Sequence, residues 1–269
     1  MIENYWKDFA VKAAIKAGQA ILDFYSDGFS VSQKIDTSPV TEADVTAHQI
    51  IEKILSKTNI PILSEEGKSI SYKERKDWNQ FWMIDPLDGT KEFINHNGEF
   101  TVNIALISKK KPVFGVIFVP VTNSIYVGGN SINDSFKLEN CNLKTSFEDV
   151  FESGYSLSQK RIMNLKNRPR TILISRSHLN DMTLSYLEER KSSLSVLKLK
   201  KMGSSLKFCV IAEGLADEYT RFSPCMEWDT AAGDAICQGV NITILQHGKE
   251  KPLCYNKESL VNPNFEVLL

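Results

Sequence analysis

Phe81-Trp82-Met83-Ile84-Asp85-Pro86-Leu87-Asp88-Gly89-Thr90 runs from an apolar, strand-like stretch straight into two carboxylates and a turn. Acids at the end of such a run have little structural use, and the pair reads as a site for a hard metal ion. Two further segments share this character. Ile60-Pro61-Ile62-Leu63-Ser64-Glu65-Glu66-Gly67 is another apolar run stopped by acids, and Glu227-Trp228-Asp229-Thr230-Ala231-Ala232-Gly233 opens an Ala-rich helix. Three such ends meeting in one pocket would make an all-oxygen cage.

Glu65, Asp85, Asp88 and Asp229 offer only oxygen, and none of His48, His96, His178 and His247 lies in the three segments. That donor set suits Mg²⁺ or Mn²⁺ better than zinc. Pro86 fixes one backbone angle and Gly89 can enter conformations closed to other residues. A tight turn would then aim both carboxylates and the Leu87 carbonyl at one point. Each acid taken singly also has a plain reading: Asp229 as a helix N-cap, Asp88-Gly89 as an ordinary turn, Glu65-Glu66 before Gly67 as a solvated corner. Their conjunction is what favours the metal site.

The 269-residue chain is long enough to bury a substantial core, as one large domain or two modest ones. A net charge of −1 provides no global basic field to draw a nucleic-acid polymer, so an anionic ligand must be held by a local cluster or a metal. Glu3, Lys7 and Asp8 interrupt the apolar residues of the amino terminus, which is unlike a secretory leader. No apolar run approaches the roughly 20 residues that span a bilayer, so the expectation is a cytoplasmic protein without a transmembrane segment. Cys141, Cys209, Cys225, Cys237 and Cys254 form an odd, widely spaced set with no CxxC pair, and read as reduced, buried small hydrophobes.

Phe9, Ala13, Ala17, Ile21 and Phe24 recur at helical spacing and predict an amphipathic helix over residues 3–26. A second helix starts after Thr41, a good N-cap, with Asp44 placed as in a capping box and His48 on a structural face. Thr101 to Ile107, Val113 to Pro120 and Ser124 to Gly128 read as an antiparallel meander, with Lys109-Lys110-Lys111 in a solvated hairpin turn. Residues 130–168 are polar and weakly periodic. Beyond them come a strand at Thr171 to Ser175, a helix near Asp181 to Arg190, a helix from Ser204 to Ala212, a strand at Ala216 to Tyr219, the helix after Asp229 and a strand at Ile242 to Leu245. The expectation is an antiparallel α+β part over 1–165 that carries most of the metal site, then a more α/β part over 166–269 that completes a cleft.

These residues resemble the lithium-sensitive, Mg²⁺-dependent phosphatases of the inositol monophosphatase superfamily. The Asp-Pro-x-Asp-Gly-Thr motif is matched by Asp85 to Thr90, the Glu-Glu pair by Glu65-Glu66, and Trp-Asp-x-Ala-Ala-Gly by Trp228 to Gly233. Within the superfamily the chain is most similar to the CysQ-type 3′(2′),5′-bisphosphate nucleotidases, a branch of sulfur metabolism. The similarity rests on Asp88 to Ile94, Asn97 to Ile107, Ser38-Pro39-Val40-Thr41-Glu42-Ala43-Asp44, Ile174 to His178 and Gly203 to Cys209. The polar stretch Asn140 to Asn167 is longer than usual there. The resemblance implies a layered αβαβα fold.

It further implies that Glu65, Asp85 and the Leu87 carbonyl hold one Mg²⁺, that Asp85, Asp88 and Asp229 hold a second, and that a weaker third joins during turnover. Thr90 would orient the attacking water with Asp44 accepting its hydroxyl proton, a role that takes Asp44 out of the cap. The substrate set comprises Glu65, Leu87, Asp88, Gly89, Thr90 and Asp229 around one phosphate, with Ser205, Lys207 and Arg221 toward the rest of a bisphosphate nucleotide. Lys207 and Arg221 would equally suit a solvated surface, Arg221 in a Pro-containing loop, and Arg176 and His178 would face the cleft or serve the structure. The implied reaction converts adenosine 3′,5′-bisphosphate to AMP and phosphate. An inositol or sugar phosphate monoesterase is the alternative enzyme, and a silent sensor of phosphorylated metabolites is the alternative of another class. Oligomeric state is left open.

Overall fold

The computed structural model describes residues 4–28, 30–33, 39–166, 168–193 and 197–269. Residue 3 of the first helix, Ser38 of the Ser-Pro-Val-Thr motif and Asn167 at the end of the polar stretch lie outside the described residues. Along the chain run α1 (Asn4–Asp27), β1 (Val31–Gln33), β2 (Pro39–Thr41), α2 (Glu42–Leu55), β3 (Ile62–Ser64), α3 (Tyr72–Arg75), β4 (Gln80–Asp88) and α4 (Thr90–Ile94). Next are β5 (Thr101–Ser108), β6 (Lys111–Val119), β7 (Ser124–Gly129), β8 (Asp134–Leu138), α5 (Phe147–Ser153), β9 (Tyr155–Ser156) and α6 (Leu157–Asn164). The remainder is β10 (Arg170–Ser175), α7 (Asp181–Ser193), β11 (Leu197–Met202), α8 (Leu206–Ala212), β12 (Glu218–Arg221), α9 (Glu227–Gly239), β13 (Ile244–Gln246) and β14 (Phe265–Leu268).

Strands β3 to β9 form one seven-stranded sheet in chain order. It is antiparallel except for the parallel β3–β4 pair. One face, with Trp82, Ile84, Ile104 and Phe118, is covered by Ala10, Ala14, Ala47 and Ile51 of α1 and α2. The other, with Phe81, Met83, Ala105 and Ile117, packs against Phe208 and Ile211 of α8 and Ala232 and Ile236 of α9. The same two helices meet Leu173, Tyr219 and Phe265 of a five-stranded sheet ordered β11-β10-β12-β14-β13. Leu187 of α7 packs on Ile172 and Ile174 on the far side of that sheet. The layers are therefore α, β, α, β, α, as the resemblance implies.

The middle layer is tight because the sequence is small where α9 crosses the first sheet. A Cβ on Gly115 would sit 2.5 Å from the Ala232 carbonyl, and one on Gly233 would strike the Phe208 ring at 2.4 Å. This closeness carries the start of α9 to the ends of β3 and β4.

Several local readings differ from the structure. The stretch 130–168 contributes β8 and β9 to the first sheet, and its weak periodicity follows from the near-edge position of β8, where Ser135 is the buried residue and Phe136 and its other neighbours are half solvated. β11, Leu-Lys-Leu-Lys-Lys-Met, was not anticipated; lysines on a sheet edge hide a strand from a hydrophobic count while discouraging edge pairing. β14 pairs antiparallel between β12 and β13, so the second sheet is mixed. Arg221 ends strand β12 rather than lying in the following loop, and α9 begins at Glu227, placing Asp229 inside its first turn with Met226 as N-cap. The five cysteines are all free thiols, four buried and Cys254 partly so. No helix among the described residues is long and apolar enough to cross a membrane.

Candidate active site

Asp85 and Asp88 are three residues apart and would face opposite sides of a regular strand. They do not, because β4 pairs Asp85 with Asn103 and Asp88 with Thr101, so the strand carries an extra residue across this step. Such a bulge shifts the alternation and re-aims the side chains. Pro86, which has no N–H to give, fits within it. The expected tight turn is thus a bulge followed by Gly89, whose φ of 93° is a left-handed conformation that glycine adopts readily. A Cβ there would also press on the Glu99 carbonyl at 3.0 Å.

Glu65 continues the parallel β3–β4 ladder through its N–H to the Ile84 carbonyl at 3.1 Å, which puts it beside Asp85. Asp229 arrives from α9, its carboxylate accepting the Met226 N–H at 2.9 Å. Ligand oxygens of Glu65, Asp85 and Asp229 all lie within 4.8 Å of one another. Asp88 lies beside them, accepting the Ser205 N–H at 2.5 Å and the Asn103 side-chain amide at 3.4 Å.

Burial holds the Asp85 carboxyl well above the usual range, and Glu65, Asp88, Asp229 and Asp44 raise it further. Asp229 is pushed up to about 8 by burial and by Asp88 and Glu65. Asp88 reaches about 6 by burial, tempered by the Lys207 ammonium and its two hydrogen bonds. Carboxylates gathered this closely want protons or a cation between them. With oxygen as the only donor, they fit a hard divalent ion.

Thr90 lies at the edge of the cluster. Its hydroxyl is 3.1 Å from Asp44 Oδ1 and 3.3 Å from the Leu87 carbonyl. Having one proton, it donates to one of them at a time and turns a lone pair outward. Asp44 Oδ2 meanwhile accepts from the Thr41 N–H at 2.7 Å and the Thr41 hydroxyl at 2.6 Å. Asp44 therefore does not leave the cap of α2: one oxygen keeps it and the other holds Thr90.

A cavity of about 290 Å³ opens from the acids, and its walls include Lys207, Arg221 and His178. Lys207, 3% exposed, reaches the Met202 and Ser204 carbonyls at 3.2 and 2.6 Å and lies over the Tyr219 ring. Burial lowers its ammonium to about 8 against the opposing pull of Asp88. Arg221 is steadied by the Ser223 and Pro224 carbonyls, both at 3.1 Å. Ser205 lines the cavity, but its hydroxyl donates to Asn103 Oδ1 at 2.8 Å and lies 2.8 Å from the Thr101 hydroxyl.

His178 faces the cavity, whereas Arg176 turns to a bidentate pair with Glu99, both bonds 2.7 Å. His48 is structural, bonded to Ser64. Tyr219, Glu92 and Lys91 also line the cavity and were not singled out from the sequence. A signal for each existed: Tyr219 lies two residues before Arg221 on a strand and shares its face, while Lys91 and Glu92 follow Thr90 on one short helix.

The sequence profile of the inositol monophosphatase family matches residues 3–268. The 3′(2′),5′-bisphosphate nucleotidase CysQ of Escherichia coli is 40% identical over 266 residues, covering 97% of this chain and 98% of that protein. CysQ of Haemophilus influenzae is 34% identical over 260 residues, or 95% and 89%. The crystal structure of CysQ from Bacteroides thetaiotaomicron superposes with a TM-score of 0.85 at 42% identity, covering 98% of this chain and 97% of that one. The Thermotoga maritima inositol monophosphatase, at 20% identity, covers 97% and 91% with a TM-score of 0.72 and shares the fold.

Proposed function

The chain belongs to the inositol monophosphatase family, and from that premise we propose that it is a 3′(2′),5′-bisphosphate nucleotidase, which removes the 3′-phosphate of adenosine 3′,5′-bisphosphate to leave AMP. The observation that carries this reading is one cavity lined both by the acids and by Lys207 and Arg221, with Thr90 held by Asp44 beside the acids. A monophosphate needs only the acids. The cationic wall suits a second phosphate.

Glu65, Asp85 and the Leu87 carbonyl would hold one Mg²⁺, and Asp85, Asp88 and Asp229 a second, with a third more weakly held. Bound there, Mg²⁺ supplies Lewis-acid charge for the attacking water, the phosphate dianion and the departing ester oxygen. The chain does the rest. Thr90 donates its hydroxyl hydrogen bond to Asp44 and presents a lone pair to a water O–H, fixing the water's direction of attack. The Gly89 and Thr90 backbone steadies the phosphate, and Lys207 and Arg221 hold the second phosphate by charge-assisted contacts. Ser205 acts in this reading through its N–H to Asp88. Most of these residues come from 1–165 and the rest from 166–269, which is why we take the cleft between those parts as the site.

A phosphate-release panel at fixed Mg²⁺ tests the proposal, with adenosine 3′,5′-bisphosphate, inositol monophosphate and fructose bisphosphate as substrates. The nucleotide is expected to have the highest kcat/KM. Preference for the inositol ester would replace this reading with the general monoesterase, and no turnover of any of the three would favour a sensor.

A further inference from the structure

Glu65 and Asp85 are tied together by the sheet, but Asp229 comes from a helix whose first turn must be held against the repulsion of the acids it joins. The segment 255–262 holds it. The Glu227 N–H, which has no partner inside α9, donates to the Leu260 carbonyl at 2.9 Å. The fully buried Glu227 carboxylate accepts the Asn256 N–H at 2.6 Å, the Lys257 N–H at 3.0 Å and the Lys257 ammonium at 2.6 Å. Asn256 has a φ of 64°, a left-handed turn that asparagine tolerates, and this turn points its N–H at Glu227 and its side chain the other way.

What that side chain meets is Arg75, at the end of the short helix in the connection between Glu65 and β4. Arg75 is 2% exposed and gives Nη1 to Asn256 Oδ1 and to the Lys257 carbonyl, both at 2.7 Å, and Nη2 to the Glu258 carbonyl at 3.0 Å. Asn256 returns its amide to the Arg75 carbonyl at 2.7 Å. The connection that follows Glu65 and the helix that carries Asp229 are thus fastened to the same two residues, Asn256 and Lys257, far from both in sequence.

We propose that Arg75, Asn256 and Glu227 form a clamp that sets the spacing between Glu65 and Asp229, and thereby the affinity of the acid cluster for a divalent cation. This rests on the metal-dependent reading above. None of the three touches the cavity, so they are positioning residues. Groups that orient ligands from behind change metal affinity by about 10- to 100-fold.

The test measures Mg²⁺ binding to the purified full chain by calorimetry, without substrate, for wild type, Arg75→Met, Glu227→Gln and Asn256→Gly. Asn256→Gly keeps the left-handed turn and the N–H on Glu227 while deleting only the two bonds of the Asn256 side chain with Arg75, so it keeps its fold if the larger changes do not. Arg190→Met, which breaks a pair with Glu218 on the far sheet, controls for general loosening. The clamp predicts that Asn256→Gly and every other clamp variant that folds bind Mg²⁺ about tenfold more weakly or worse, and that Arg190→Met binds as wild type does. Wild-type affinity in folded Asn256→Gly, or equal weakening in the Arg190 control, overturns the clamp alone. Failure of wild type itself to bind Mg²⁺ overturns the metal reading, and the clamp with it.

Discussion

Asp44 and Thr90, 46 residues apart in the chain, are joined by a 3.1 Å hydrogen bond beside the acid cluster. The same carboxylate closes the capping box of α2 through Thr41. One side chain therefore serves the start of a helix and the orientation of a hydroxyl in the cavity, and the two duties separate on mutation.

Thr90→Ala is expected to lower kcat by about 10²-fold or more, the usual cost of losing an acid–base contact, while Mg²⁺ affinity and stability hold. Asp44→Ala should lose similar activity and also about 1 kcal/mol of stability as the cap fails. Turnover and denaturant midpoints of both variants check this. An Asp44→Ala protein that is less stable yet fully active would confine Asp44 to the cap.

Asp85→Asn removes a buried charge from among Glu65, Asp88 and Asp229. The variant is expected to melt higher than wild type in chelating buffer and to be inactive at every Mg²⁺ concentration. Thermal unfolding with and without Mg²⁺, beside a turnover assay, checks both halves. Full activity in metal-free buffer would sink the metal reading.

Lys207→Ala and Arg221→Ala should each cost about 1.5 to 3 kcal/mol in kcat/KM for adenosine 3′,5′-bisphosphate, carried mostly by KM, with a far smaller effect on a simple monophosphate ester. Equal losses on both substrates would place these cations at the reacting phosphate.

His178 provides the pH signature. Burial first, then Arg221, Lys91 and Lys207, lower its imidazole from 6.5 to about 4. A base depressed on folding binds its proton better in the unfolded chain. Its contribution to stability is thus fully present above about 6.5 and is lost as pH falls toward 4. Replacing it with glutamine should lessen the loss of stability between those values, and proton NMR of wild type should find one histidine titrating near 4. A His178 midpoint near 6.5 would refute the argument.

Much of the architecture could be read along the chain because it is written in local periodicity. The spacing of Phe9, Ala13, Ala17 and Ile21 dictates a helix whatever it packs against, and the β-rich runs from Thr101 to Gly128 dictate a meander. Elements whose partners are distant were the ones missed. β11 is masked by its edge lysines, and β14 is four residues that become a strand only between β12 and β13.

The sequence by itself determined which atoms are available: oxygen donors at the ends of apolar runs, no histidine among them, and a threonine two residues after the acidic pair. Chemical type is a property of single residues and needs no coordinates. Tertiary structure decided their geometry. The bulge that brings Asp85 and Asp88 to one face needs the pairing of β4 with Asn103 and Thr101, and the sharing of Asp44 between Thr41 and Thr90 needs α2 to start beside the end of β4. Glu227, Asn256 and Arg75 gave no signal along the chain, because a buried carboxylate and guanidinium acquire meaning only from partners that hydrogen bonds and packing bring from far away in sequence.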